Sequence, residues 1–367
     1  MRSAGLLWFA GIVFGQQALW EKHVQEGDRL AQVGRYQEAR EAYQFALRDP
    51  DTPAQPGLQA ARWNDLALMN RYLGNLVEGR EQYRRALALM EQARGAASPD
   101  YAAILHNLAV LDFQDGKLEQ AARQFHGALQ IRQAVLGEKD PITAQTLNSL
   151  AAVYARQRRY AEAERLGLRA LTIEEQAWGP EDPRLVPTLD NLIFLHVQHR
   201  RLSVALELTG RAYGIVRKTY GDRHPLTAQR MNRRAVVLAH LGRYAESREL
   251  LLPALEIQLS NLGENNTLVA STMANLAAVS SHQGSLREAE SLYRRALGIC
   301  ERVRGPDDRE MAAILMDYAW VLRQTGRKSE GRNLESRART ILAMHSGDSG
   351  RLSVDVSELL SPQRKVR

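Results

Sequence analysis

From Tyr101 to Pro141 the chain reads YAAILHNLAVLDFQDGKLEQAARQFHGALQIRQAVLGEKDP. Apolar residues recur at helical spacing in Ile104, Leu105, Leu108, Ala109 and Leu111, break off, and resume in Leu118, Ala121, Ala122, Phe125, Ala128 and Leu129. Gly116 falls at the break, where glycine can take the left-handed conformation that ends a helix. The pattern predicts two helices joined by a tight turn, each with an apolar stripe that it cannot bury alone. Neighbouring copies of the unit must cover it.

Those copies are in the sequence. The turn residue recurs as Gly34, Gly74, Gly116, Gly242, Gly284 and Gly326, with Arg158 and Arg200 in the two intervening slots, and from 74 onward each step is 42 residues. Five positions after each turn stands a small residue: Ala39, Gly79, Ala121, Ala163, Ala205, Ser247, Ala289 and Gly331. Twelve positions after it, all eight copies carry alanine: Ala46, Ala86, Ala128, Ala170, Ala212, Ala254, Ala296 and Ala338. A second glycine column (Gly95, Gly137, Gly179, Gly221, Gly263, Gly305) keeps the same step. In the first helix, Gly27, Ala67, Ala109, Ala151, Ala235, Ala277 and Ala319 form another small column, from which only Ile193 departs. Small side chains in register are what closely packed helices require. A period of this length is the mark of a solenoid. Arg158 and Arg200 cost on the order of 1 kcal/mol each if their turns are left-handed.

This spacing of small residues resembles the tetratricopeptide repeat. The long period, the links LGEKDP, WGPEDP and YGDRHP, and the motifs LHNLA (105–109), LNSLA (147–151), LDNLI (189–193) and MANLA (273–277) are similar to the kinesin-light-chain subtype. The resemblance covers roughly residues 20 to 343. It implies an all-α, right-handed superhelical solenoid of about eight helix-turn-helix repeats that recognises protein or peptide. It also implies that the first helices line the concave side. The heptad coiled coil by which kinesin light chains join their motor is absent, so motor transport is not carried over.

Three segments are expected: a signal peptide at 1–15, the repeat array at 16–345, and a tail or cap at 346–367. MRSAGLLWFAGIVFG has one basic residue and then an apolar run with no polar face. It is too short to span a bilayer comfortably. Export to the periplasm or the medium follows if Met1 to Gly15 is a leader; a cytoplasmic protein with an N-terminal cap helix is the alternative. Residues 346–367 either cover the last repeat or dock a partner. The prolines of DPDTPAQPGLQ (49–59) break the helix between the first two repeats. The single cysteine, Cys300, allows no internal disulfide.

Lysine and arginine number 49 against 42 acidic residues, a formal charge of +7. Arginine and glutamate alternate along the second helices, the pattern of a solvated face with helix-spaced ion pairs. No compact basic run with aromatics marks a nucleic-acid site. No nucleophile elbow, phosphate loop, metalloprotease helix or cysteine-pair metal site is present, so neither an enzyme nor a cofactor or metal is implied. His240 and His282 fall at equivalent positions of adjacent repeats, but two imidazoles do not make a metal site.

The function expected is a non-enzymatic scaffold or adaptor that holds a peptide segment or protein surface in its groove. Asparagine recurs in six successive first helices, as Asn64, Asn107, Asn148, Asn191, Asn232 and Asn275. An amide offers donors and an acceptor that match an extended peptide's backbone; tying neighbouring helices together is the other role open to it. Variable positions beside the asparagines would give specificity: Tyr72, Phe113, Gln114, Arg156, Phe194, Gln198, His240, His282, Trp320 and Arg323. The alternatives are a polyanion or nucleic-acid binder using the arginines, and a regulatory partner of a separately encoded enzyme.

Overall fold

The structure is a computed structural model that describes residues 18–49 and 53–345. The leader expected at 1–15 and the tail at 346–367 lie outside the described residues. Sixteen α-helices follow one another: α1 (Leu19–Gln32), α2 (Tyr36–Arg48), α3 (Pro56–Tyr72), α4 (Leu76–Arg94), α5 (Pro99–Gln114), α6 (Leu118–Leu136), α7 (Pro141–Arg156), α8 (Tyr160–Trp178), α9 (Val186–Gln198), α10 (Leu202–Tyr220), α11 (Pro225–His240), α12 (Tyr244–Leu262), α13 (Thr267–His282), α14 (Leu286–Arg304), α15 (Arg309–Gln324) and α16 (Lys328–Met344). A 3₁₀ turn at Pro183–Leu185 leads into α9. No strand occurs among the described residues. None of their helices is long and apolar enough to cross a membrane. The described residues form an all-α solenoid of eight helix pairs, and the chain groups into two compact units, to Leu111 and from Asp112.

The turns explain the glycine column. In the third repeat Lys117 N donates to Asp112 O at 2.8 Å while Gly116 N donates to Phe113 O at 3.2 Å. That double closure needs the turn residue at positive φ. Arg158 and Arg200 take the same conformation, with φ of 61° and 58°, and Arg159 N and Arg201 N close the same turns onto Tyr154 O and His196 O at 2.8 Å. Glycine would relieve about 1 kcal/mol at each, partly offset by its freer unfolded chain. Arg158→Gly and Arg200→Gly are therefore expected to leave thermal unfolding unchanged or raise its midpoint. A clear loss of stability in both would mean that the arginine side chains matter more than the backbone strain.

The alanine column twelve residues after the turn is wholly buried; Ala46, Ala86, Ala128 and Ala170 are 0% exposed. The column five residues after the turn meets backbone instead. Ser247 Oγ donates to Ala235 O at 2.7 Å, and a Cβ added at Gly331 would stand 2.9 Å from Ala319 O. The second helix thus crosses the first where both carry small residues, as ridge-into-groove packing demands. Links between repeats end on N-caps: Asp140, Asp182, Asn266 and Asp308 each accept from the amide two residues on, at 2.7–2.9 Å. His224 does the same through Nδ1 at 3.1 Å.

In the second unit consecutive first helices approach each other directly, α7 with α9, α11 with α13 and α13 with α15, and no consecutive pair of second helices comes as close. The first helices therefore sit on the inside of the curve. Any groove lies on their side.

Candidate functional site

The asparagines do not make one continuous ladder. They close into three pairs, each bridging two adjacent first helices: Asn107 Nδ2 donates to Asn64 Oδ1, Asn191 to Asn148, and Asn275 to Asn232, each at 3.0 Å. The reason is register. Asn64, Asn148 and Asn232 stand ten residues before their turn residue, while Asn107, Asn191 and Asn275 stand nine before theirs. Each pair is separated by 43 residues, and the steps between pairs by 41. Each pair consumes one donor and one acceptor and leaves the other halves of both amides. Asn107 and Asn191 are half-buried, whereas Asn148 and Asn232 are 8% exposed and Asn275 only 2%.

Between the second and third pairs an ion pair takes the same two positions. Asp190 and Arg233 meet at 2.8 Å, and Arg230 reaches both oxygens of Asp190 at 2.6 and 2.7 Å. Two guanidiniums thus share one carboxylate, with a net formal charge of +1. Burial pushes the Arg233 guanidinium below its usual pKa, against the pull of Asp190. Arg230 is 8% exposed and its Nε has no partner.

The expected specificity residues are placed unequally. Tyr72 is exposed and stacks on Tyr36, ring centroids 4.5 Å apart, with the Arg71 guanidinium over its ring at 4.5 Å. Phe113 is buried, and Arg156 lies over it at 5.3 Å. Gln114 has a buried Oε1 without a partner. Phe194 is half-buried and Gln198 exposed. His282 is sandwiched between Tyr244 and Trp320, with centroids at 4.8 and 6.2 Å. His240 has a buried, unpartnered Nε2, and its pKa is pushed down to about 4 by desolvation and the Arg200 charge, so it is neutral at pH 7. Arg323 is exposed and paired with Glu335. Among the described residues no three histidine, cysteine or acidic side chains are placed to hold a metal ion.

The residue pair that sequence reading missed is Asp190 and Arg233. Its signal was available, since these two occupy the asparagine registers of their repeats. Many arginines at the starts of the second helices and along them, by contrast, are paired with glutamate. Arg243–Glu246, Arg327–Glu330 and Arg248–Glu288 lie at 2.5–2.8 Å, and similar pairs cross between repeats, as Arg201–Glu164 at 2.7 Å.

A family model described as tetratricopeptide repeat matches residues 58–126, 102–176, 229–299 and 268–343, together more than half of the chain. No curated protein matches it. Among solved structures, the apo form of RapI is 17% identical, with a TM-score of 0.59 over 78% of this chain and 99% of that one. A Rap protein complexed with competence and sporulation factor is 14% identical, with a TM-score of 0.54 over 90% and 99%. A putative kinesin light chain from Podosopora anserina with nearly identical TPR-like repeats is 21% identical, with a TM-score of 0.51 over 57% and 98%.

Proposed function

The chain belongs to the tetratricopeptide repeat family, and from that premise we propose that it is a protein-interaction scaffold that holds an extended peptide segment along its first helices. The observation that carries this reading is the row of amide pairs on the inside of the curve, each with hydrogen-bonding capacity beyond the pair. Aromatic and charged residues flank the row at Phe194, His282, Trp320 and Arg156. One structural neighbour, a Rap protein, is described in complex with a competence and sporulation factor, which supports a ligand on this fold. The arginines give little support to a polyanion ligand, because glutamate already neutralises so many of them.

The test follows from how the pair is built. Removing one partner of a buried hydrogen bond orphans the other and costs about 1–3 kcal/mol, whereas removing both is nearly neutral. Asn191→Ala should therefore destabilise the fold, and Asn148→Ala with Asn191→Ala together should leave thermal unfolding close to that of the parent. The double variant should nevertheless bind a partner, captured from the native host and identified by mass spectrometry, about 1–3 kcal/mol more weakly. Binding should fall only modestly between low and high salt. Unchanged affinity in the folded double variant would make the asparagines structural ties alone, and collapse with salt would return the polyanion reading.

A further inference from the structure

Nine residues after the turn, the second helices carry Tyr43, Tyr83, Phe125, Gly167, Thr209, Leu251, Tyr293 and Glu335. The four aromatic members are at most 3% exposed, so a ring there fills the centre of a repeat. At Gly167 the ring is missing. Leu192 of the following first helix takes part of its place: a Cβ built on Gly167 would stand 2.8 Å from Leu192 Cδ2. What remains is a pocket of ≈ 90 Å³ between α7, α8 and α9. Ala151, Ala152, Ala155 and Phe194 form its apolar wall, and Asn191 and Arg233 stand on its lining with Asp190. Two other first helices put a large ring at the position of Ala152, Phe194 and Trp320, and most of the rest a larger side chain than alanine, so a small residue here also keeps this wall low.

The volume and the charge limit what can enter. An apolar cavity of about 150 Å³ holds benzene, so a pocket of ≈ 90 Å³ suits a Val, Ile or Leu side chain better than an aromatic ring. Around Asp190, Arg230 and Arg233 leave one positive charge in excess, and a second carboxylate would balance it. Asn191, which joins this lining, is half of the amide pair with Asn148. Building on the groove reading above, we propose that the pocket between α7 and α9 is a socket for an aliphatic side chain of an extended peptide, whose neighbouring acidic residue pairs with Arg233.

A library of random linear nonapeptides displayed on phage, selected against the purified full chain, tests this directly. Selected peptides should share Val, Ile or Leu next to Asp or Glu. In synthetic peptides measured by fluorescence anisotropy, changing that aliphatic residue to alanine should weaken binding at least tenfold on the parent protein. On Ala152→Phe, which fills the socket with the ring that Phe194 provides one repeat later, the same peptide change should have little further effect. Arg233→Gln should erase the preference for an acidic over a neutral neighbour while keeping the aliphatic one. Circular dichroism and thermal melts of both variants establish that they are folded, and the peptide-side substitution reports on the parent without any variant. Peptides anchored by Trp or Phe, or bound equally by the parent and Ala152→Phe, overturn the socket; if they still lose affinity in the Asn148→Ala/Asn191→Ala protein, the groove reading stands without it. Failure to select any peptide overturns both.

Discussion

Asp190→Ala is expected to destabilise the protein by about 3 kcal/mol, the lower end of what breaking a buried ion pair costs, because Asp190 is itself partly exposed. The cost arises on the partners. Arg230 is 8% exposed, and without Asp190 its remaining side-chain hydrogen bond is to Gln229 Oε1 at 3.2 Å. Arg233 is more accessible and can turn toward solvent, so it loses less. A second change separates this account from a simple cavity. Arg230→Met added to Asp190→Ala removes the orphaned charge and should recover much of the lost stability in urea unfolding. If the double variant were no more stable than Asp190→Ala, the stranded guanidinium would not be the source of the loss.

Glu174→Gln should stabilise the fold, and only above weakly acidic pH. Sixteen residues after the turn the second helices carry Met90, Arg132, Glu174, Val216, Gln258 and Cys300, all at most 5% exposed, where each repeat packs on the next. Arg132 meets Thr146 Oγ1 at 2.6 Å. Glu174 accepts from the Thr188 hydroxyl, and its Oε2 has no partner. Burial, with the Thr188 bond opposing it and Glu175 adding to it, raises its pKa to about 7. The raised pKa means that the folded state holds the proton more tightly than the unfolded chain. Stability from this group is therefore full below about pH 4.5, falls as pH rises, and is lost above about pH 7, a total on the order of 3 kcal/mol at 1.36 kcal/mol per unit. Glutamine, the residue that Gln258 supplies in the same column, has no charge to bury. The difference between Glu174→Gln and the parent should be small at pH 4.5 and reach a few kcal/mol at pH 8. An equal difference at both pH values would show that ionisation is not what the buried carboxylate costs.

Much of the fold was legible because its determinants are local or strictly periodic. Helix stripes, turn glycines, capping aspartates and small-residue columns each act within a few residues or repeat at the same step, so reading one unit reads them all. The left-handed turns at Arg158 and Arg200 were equally legible, since the 42-residue register places them where glycine stands elsewhere. The candidate groove was legible in kind, through the asparagines and their flanking residues, but not in connection. Whether an amide faces a ligand or its neighbour depends on one residue of register between two helices, and the alternation of 43 and 41 carried that information unnoticed within an average of 42.

The sequence by itself thus determined the helix pairs, their turns and where two helices cross, because backbone conformation and close packing there follow from residue type at fixed spacing. Only the tertiary structure decided that the Glu174 carboxylate, in a column whose burial the register marks, has an oxygen left without a partner under the next repeat. It also decided that Leu192 leans toward Gly167 and leaves a pocket, and that Asp190 gathers two arginines from the next first helix, α11. Each of these outcomes depends on side chains some 14 to 43 residues apart sharing one small volume. Competition for that volume, between a ring, a leucine, a charge and its counter-charge, is settled by packing and desolvation across the repeat boundary.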